Sequence, residues 1–215
     1  MLSFWKLEMP NTQENTMTRE IFEMTLCHHC APVLMGWKPS NLVSFSSRDA
    51  LFLREALQEY SERLADEGLR MEVLCSCRKH EMVLVYRPGM LDSYLSRKEI
   101  KAVLRECGYP TEAPLSEQLG CLEKRFSCHE EFPHEIGLFL GYPLEDVRGF
   151  QLYKGKNCKL CGYWKVYGDV ERAARLFRQF DEGRAFLKKK LQEGIGILQV
   201  LTDKQLFPIP EADCI

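Results

Sequence analysis

The chain has no apolar run long enough to span a bilayer, so no transmembrane helix is expected. Residues 1–16 lack the basic start, the long apolar stretch and the small-residue cleavage site of a secretory signal. They read as a flexible lead-in, and the protein is expected in a reducing cytoplasm. An excess of one charge is missing as well. The net charge of −2 sets up no field that would gather a polyanion, so neither nucleic acid nor a membrane is an expected partner. The one basic run, Lys188-Lys189-Lys190, sits near the end of a predicted helix, where cations complement the dipole. There is no internal repeat, no low-complexity segment and no Pro/Gly/Ser-rich linker. One globular domain is therefore expected over 17–192, with a weakly patterned tail at 193–215. A glycine-rich phosphate loop, a nucleophile elbow and a dinucleotide fingerprint are all absent, which excludes the enzyme classes built on them.

What is present is enough for a sizeable core. The 215 residues are 45% hydrophobic and 28% charged, the balance of a globular protein. Ten cysteines are too dilute, without a signal peptide, for a secreted disulfide scaffold. Most should be free thiols, with Cys75, Cys107 and Cys121 acting as small buried hydrophobes.

Periodicity predicts a first helix over 18–30, capped by Thr18 and stopped by Pro32. A turn at Gly36–Ser40 leads to a short strand at Leu42–Phe45. Residues 48–67 predict an amphipathic helix with Leu53, Leu57, Tyr60 and Leu64 on its apolar stripe, ended by Gly68. Alternation at 70–77 and 82–86 predicts an antiparallel hairpin. Helices follow at 91–95, 97–107 and 115–126. Pro133 and Pro143 are each placed to start a short helix, with Glu135, Glu145 and Asp146 favoured in the first turns. Residues 163–167 predict a strand, and Gly168 and Asp169 introduce the last long helix. The fold class implied is α+β, a small, mainly antiparallel sheet of about four strands covered by helices on one side, in two layers.

Residues 131–147 carry the densest local specification, two Pro-led helix starts around one histidine and four acidic residues near an apolar run. His134-Glu135 is not a zinc-protease helix, because position 138 is Leu and no second imidazole projects from the same face. His134 alone can move a proton or fix the loop by hydrogen bonds. Cys27-His28-His29-Cys30 and Cys158-Lys159-Leu160-Cys161 each offer one half of a tetrahedral zinc site, or else unligated thiols. A thioredoxin-like role fails for Cys27 and Cys30, which fall at a helix end and not at a start that stabilises thiolate. On the 163–167 strand, Tyr163, Lys165 and Tyr167 share one face and form a candidate anion site, against the simpler reading of a lysine stem covering aromatic surface. Lys38, in a loop, has the same two readings.

Three blocks together resemble an uncharacterised bacterial family, domain-of-unknown-function family 3793. They are Cys30-Ala31-Pro32-Val33-Leu34-Met35-Gly36-Trp37-Lys38-Pro39, the run from Phe132 to Val147, and Cys161-Gly162-Tyr163-Trp164-Lys165-Val166-Tyr167. The likeness spans about residues 20–190. Val33 stands where the family usually has Thr, and Trp37 where it has a small or aliphatic residue. The resemblance implies a cytosolic protein, mostly of anaerobic Gram-positive bacteria, and implies no activity.

Three functions are compatible with these residues. One is a small-molecule-binding or enzyme-like domain, in which Cys30 (nucleophile), His134 with Glu135 (acid/base) and Lys38 or Lys165 (anchor for an anionic ligand) share a pocket. The second is a zinc- or iron-stabilised interaction module using Cys27, Cys30, Cys158 and Cys161. The third, a DNA-binding regulator, is disfavoured because Glu145 and Asp146 would repel phosphate from the reading helix.

Overall fold

The computed structural model describes residues 16–77, 79–128, 133–203 and 205–206. Most of the lead-in, Arg78 of the hairpin turn, Phe132 and the end of the tail lie outside the described residues. In chain order the elements are α1 (Arg19–Leu34), β1 (Ser40–Ser46), α2 (Ala50–Arg63), β2 (Arg70–Ser76), β3 (His80–Tyr86), α3 (Pro88–Leu95), α4 (Lys98–Glu106), α5 (Leu115–Cys128), α6 (Ile136–Phe139), α7 (Leu144–Tyr153), β4 (Leu160–Cys161), β5 (Lys165–Val166), α8 (Val170–Gln192) and α9 (Ile197–Thr202).

Thr18 caps α1 as its position predicts, its hydroxyl accepting from Ile21 N at 3.3 Å. Pro32 does not stop the helix, which runs on to Leu34. The proline removes one donor close to the helix end, while Ala31, Val33 and Leu34 are fully buried, so packing outweighs the missing bond. The last turn of α1 has no basic residue of its own. Arg87, which follows β3, supplies that charge from outside. Its guanidinium donates to Val33 O, Leu34 O and Glu67 O, each at 2.8 Å.

The main sheet is antiparallel with strand order β1-β3-β2. The expected hairpin is β2–β3, and β1 adds along the far edge of β3, with Ser40 opposite Tyr86 and Ser46 opposite His80. A bulge between Val73 and Cys75 breaks strict alternation in β2, leaving Leu74 buried and Val73 exposed. The α+β class is as the sequence implies; the layering differs. Val43, Phe45, Met71, Val83 and Val85 face one core with α1, α2, α8, α9 and the β4–β5 ribbon. Leu42, Leu74, Leu84 and Tyr86 face a second core filled from α3 to α7. Both faces of the sheet are apolar, so helices cover both and there are three layers, not two. The strand expected at 163–167 pairs only at Lys165–Val166, in a two-stranded ribbon separate from the main sheet.

After α8 the chain turns at Gly194, which has φ +80, and α9 then buries Ile197, Leu198, Val200 and Leu201. Glu23 sets this junction. It is buried in α1, and its Oε1 accepts from the Tyr60 hydroxyl and, at 3.2 Å, from Ile197 N. Among the described residues, no helix is long and apolar enough to cross a membrane.

Candidate functional site

The most unusual side chain is Lys38, whose exposure is 1%. Gly36 takes φ +75, which lets the chain reverse at the end of α1 and carry Lys38 inward. Pro39 then packs against Gly141, where a Cβ would lie 2.4 Å from its ring. Ser40 Oγ donates to Phe139 O at 2.6 Å. These contacts press the 36–40 turn onto the segment that follows α6. Lys38 Nζ lies 4.8 Å from the centroid of the Tyr142 ring, a cation–π distance. Tyr142 stacks on Trp164 at 5.2 Å. Trp164 Nε1 donates to Asp146 Oδ2 at 2.7 Å, and Asp146 Oδ1 accepts from Tyr167 N at 2.7 Å and Gly168 N at 2.8 Å. The first loop, the α6–α7 segment and the β5 ribbon therefore meet in one junction.

Lys38 forms no ion pair or hydrogen bond with the described residues. Burial pulls its amine down to about 7, with the Cys30 thiol acting in the opposite direction. Cys30 is fully buried, and burial pushes its thiol far up, opposed by Lys38 and reinforced by Cys27. Burial thus favours the neutral form of both groups, the protonated thiol and the free amine.

The other candidates are placed differently. His134 is exposed, with its ring edge on Phe150 at 5.5 Å, so the imidazole does not join the thiol and the amine. Pro133 precedes α6 instead of opening it, because residues 133–135 form a turn in which Ile136 N donates to Pro133 O at 3.1 Å. Glu135 is buried and clamps two neighbours, accepting from Arg125 Nη1 at 3.0 Å and from the Tyr109 hydroxyl at 3.1 Å. The expected anion face of Tyr163, Lys165 and Tyr167 does not assemble. Only two residues pair in β5, so the period-two face is lost. Tyr163 donates to Asp181 Oδ1 at 3.0 Å and accepts from Arg184, and burial holds its hydroxyl up at about 12 with Arg184 opposing. Lys165 Nζ donates to Gly155 O at 2.5 Å. Tyr167 stacks on Tyr153 at 5.7 Å, with its hydroxyl buried and without a hydrogen-bond partner among the described residues.

A family model described as protein of unknown function (DUF3793) matches residues 26–201. The chain belongs to DUF3793. No curated protein and no solved structure matches it. The matched span contains the whole Lys38–Tyr142–Trp164–Asp146 junction of this DUF3793 chain.

The four-cysteine metal site is not formed. Among the described residues of this DUF3793 chain, no group of three or more His, Cys, Asp and Glu side chains is placed to hold a metal ion. Cys27 and Cys30 lie in α1 and are both buried. Cys27 Sγ donates to Arg184 O at 3.6 Å, and burial pushes its thiol up to about 11, opposed by Arg184 and Lys188. Cys158 and Cys161 lie by the ribbon, close to Tyr167. The imidazoles between the first pair sit among cations. Burial, then His28 and Arg184, pull His29 down to about 4, while burial, Arg184 and Lys188 lower His28. A dication gains nothing from such neighbours.

Sequence reasoning misses two residues of the DUF3793 junction, and Arg87 at the end of α1. Asp146 reads as a helix-dipole residue and proves to be the acceptor that ties Trp164 to α7. Tyr142 reads as part of a turn and proves to be the ring beneath Lys38. Arg87 gives no signal at all. For Asp146 the available signal was an acidic residue inside an aromatic- and glycine-rich block.

Proposed function

We propose that this DUF3793 chain is a small-molecule-binding, enzyme-like domain whose working group is the Lys38 amine, used uncharged to capture a carbonyl compound. One observation supports the reading: a lysine buried without a carboxylate partner among the described residues, next to a tyrosine ring and a thiol. A carboxylate would keep such a lysine charged, and packing alone is served better by an aliphatic side chain. With the amine held down at about 7, a large share of the protein at neutral pH carries the free base, the form that adds to a carbonyl carbon. Addition and loss of water join Nζ to that carbon as an imine, and the two amine protons leave with the carbonyl oxygen. Cys30, kept protonated, serves as a neutral donor beside the amine and not as the nucleophile.

Nζ is enclosed in this conformation. Entry displaces the 36–39 turn, and capture is slow and gated. The setting is a reducing bacterial cytoplasm. The eight cysteines with described side chains carry no disulfide, which suits that compartment.

The test is reductive trapping. The protein is incubated with acetaldehyde, glyceraldehyde or pyruvate and cyanoborohydride at neutral pH, then read by intact mass and peptide mapping. One adduct at Lys38 is expected, lost in Lys38→Met and kept in His134→Ala. Adducts scattered over exposed lysines, with none at Lys38, would sink the proposal.

A further inference from the structure

The stretch between Asp146 and Asp169 holds five of the chain's 29 basic residues and none of its 31 acidic ones. The net charge of −2 conceals this local excess.

A stack of two rings stands at its centre. Tyr167 N donates to Asp146 Oδ1 at 2.7 Å, and the Tyr167 ring lies on Gly149, where a Cβ would stand 2.4 Å from its Cγ. Glycine weakens a helix interior relative to alanine, so α7 gives up stability to seat that ring. Tyr153 then stacks on Tyr167, its ring 17° from parallel. Tyr153 is 45% exposed, and its neighbour Leu152 is 73% exposed. The outer ring is held in a fixed plane and still reaches solvent.

Three exposed lysines rim the stack. Lys154 follows Tyr153 at the C-cap of α7, Lys156 N donates to Tyr153 O at 2.9 Å, and Lys159 Nζ donates to Gly168 O at 3.1 Å, next to Tyr167. A carbonyl acceptor leaves the ammonium charge in place. None of the three pairs with a carboxylate among the described residues. Elsewhere on the surface Lys101, Arg105, Lys189 and Lys190 do. Lys154 also complements the dipole of α7, but Lys156 and Lys159 lie beyond the helix and serve no such end.

We infer that this surface binds single-stranded nucleic acid, with bases stacking on Tyr153 beside Leu152 and phosphates meeting Lys154, Lys156 and Lys159. Charge complementarity selects a polyanion, and the fixed ring selects one that carries flat π-faces between its charges. A bilayer would need more protruding apolar area than Leu152 and one tyrosine supply. The surface does not depend on the Lys38 chemistry.

The test is fluorescence anisotropy with the full chain. The probes are labelled oligo-uridylate and oligo-thymidylate of about 12 nucleotides and a duplex of equal length, between about 50 and 200 mM salt. Sedimentation with phosphatidylglycerol vesicles runs beside it. Both single strands should bind more tightly than the duplex, the logarithm of the affinity falling by about 2 per decade of salt, as for three phosphate contacts. Tyr153→Ala should weaken binding about fivefold or more, and Tyr153→Phe, which keeps the ring, should not. Lys154→Gln with Lys156→Gln should weaken it and reduce the salt slope by about 1.4. Lys98→Gln, on α4, should leave it unchanged, and a Tm for each variant shows that it is folded. No binding at the lower salt, equal affinity for strand and duplex, or wild-type binding by Tyr153→Ala overturns the inference. So does sedimentation with vesicles without nucleic-acid binding, since the occupant is then a membrane.

Discussion

Replacing Lys38 with methionine should stabilise the protein, by an amount that depends on pH. The folded amine titrates at about 7 and an exposed lysine at 10.5. Between these values the unfolded chain holds a proton that the folded protein has released, so wild-type stability rises with pH through this window, by about 1.4 kcal/mol per pH unit. Below pH 7 both states are charged and the folded state carries the whole burial penalty, up to about 5 kcal/mol. The Tyr142 ring, 4.8 Å from Nζ, returns about 0.5–2 kcal/mol of that through cation–π attraction. Methionine fills a similar volume without charge. The variant should therefore be more stable by about 3 kcal/mol at pH 6, with the advantage shrinking above pH 7 and vanishing near pH 9. Urea unfolding of both proteins at pH 6, 7.5 and 9 measures this. Taking the difference between them cancels every other titrating group. A variant less stable at pH 6, or an advantage that does not change with pH, would show that Lys38 stays charged and satisfied in the fold.

Other substitutions probe the junction around it. Asp146→Ala leaves the Trp164 indole and the Tyr167 and Gly168 amides without their acceptor; a loss of about 3 kcal/mol or more in urea unfolding is expected. Gly141→Ala adds a Cβ 2.4 Å from the Pro39 ring at φ +72 and should destabilise by about 1–3 kcal/mol; an unchanged midpoint would mean the turn is not held there. Alkylation with iodoacetamide should modify exposed Cys77 and Cys161 first, and reach Cys27 and Cys30 only on unfolding, because burial keeps both protonated. Early modification of Cys30, read by peptide mapping, contradicts the enclosed site.

Much of the fold is legible in the chain because it rests on local rules. Thr18 at the start of α1, the Leu53–Leu57–Tyr60 stripe of α2, the β2–β3 hairpin and Asp169, whose carboxylate accepts from Arg172 N at 2.9 Å at the start of α8, act through neighbours within a few residues. Errors arise where distant partners decide. Pro32 stays helical because the turn around it is buried in a core made by other elements. The tail reads as weakly patterned because its helix is short, and its docking depends on Glu23, far away in sequence. For the site, Lys38 and Cys30 are recognisable as candidates and both are buried, while His134, Lys165 and the second cysteine pair each engage separate neighbours.

The sequence by itself determined the class of elements, their capping, the apolar faces of the strands and membership of DUF3793, because periodicity and motif spacing are properties of consecutive residues. Only the tertiary structure decided that Lys38 is enclosed without a carboxylate among the described residues and that Asp146 holds Trp164. Burial and the identity of the partner are set by segments a hundred residues apart, and desolvation, which shifts the amine, exists only once those segments have closed over it.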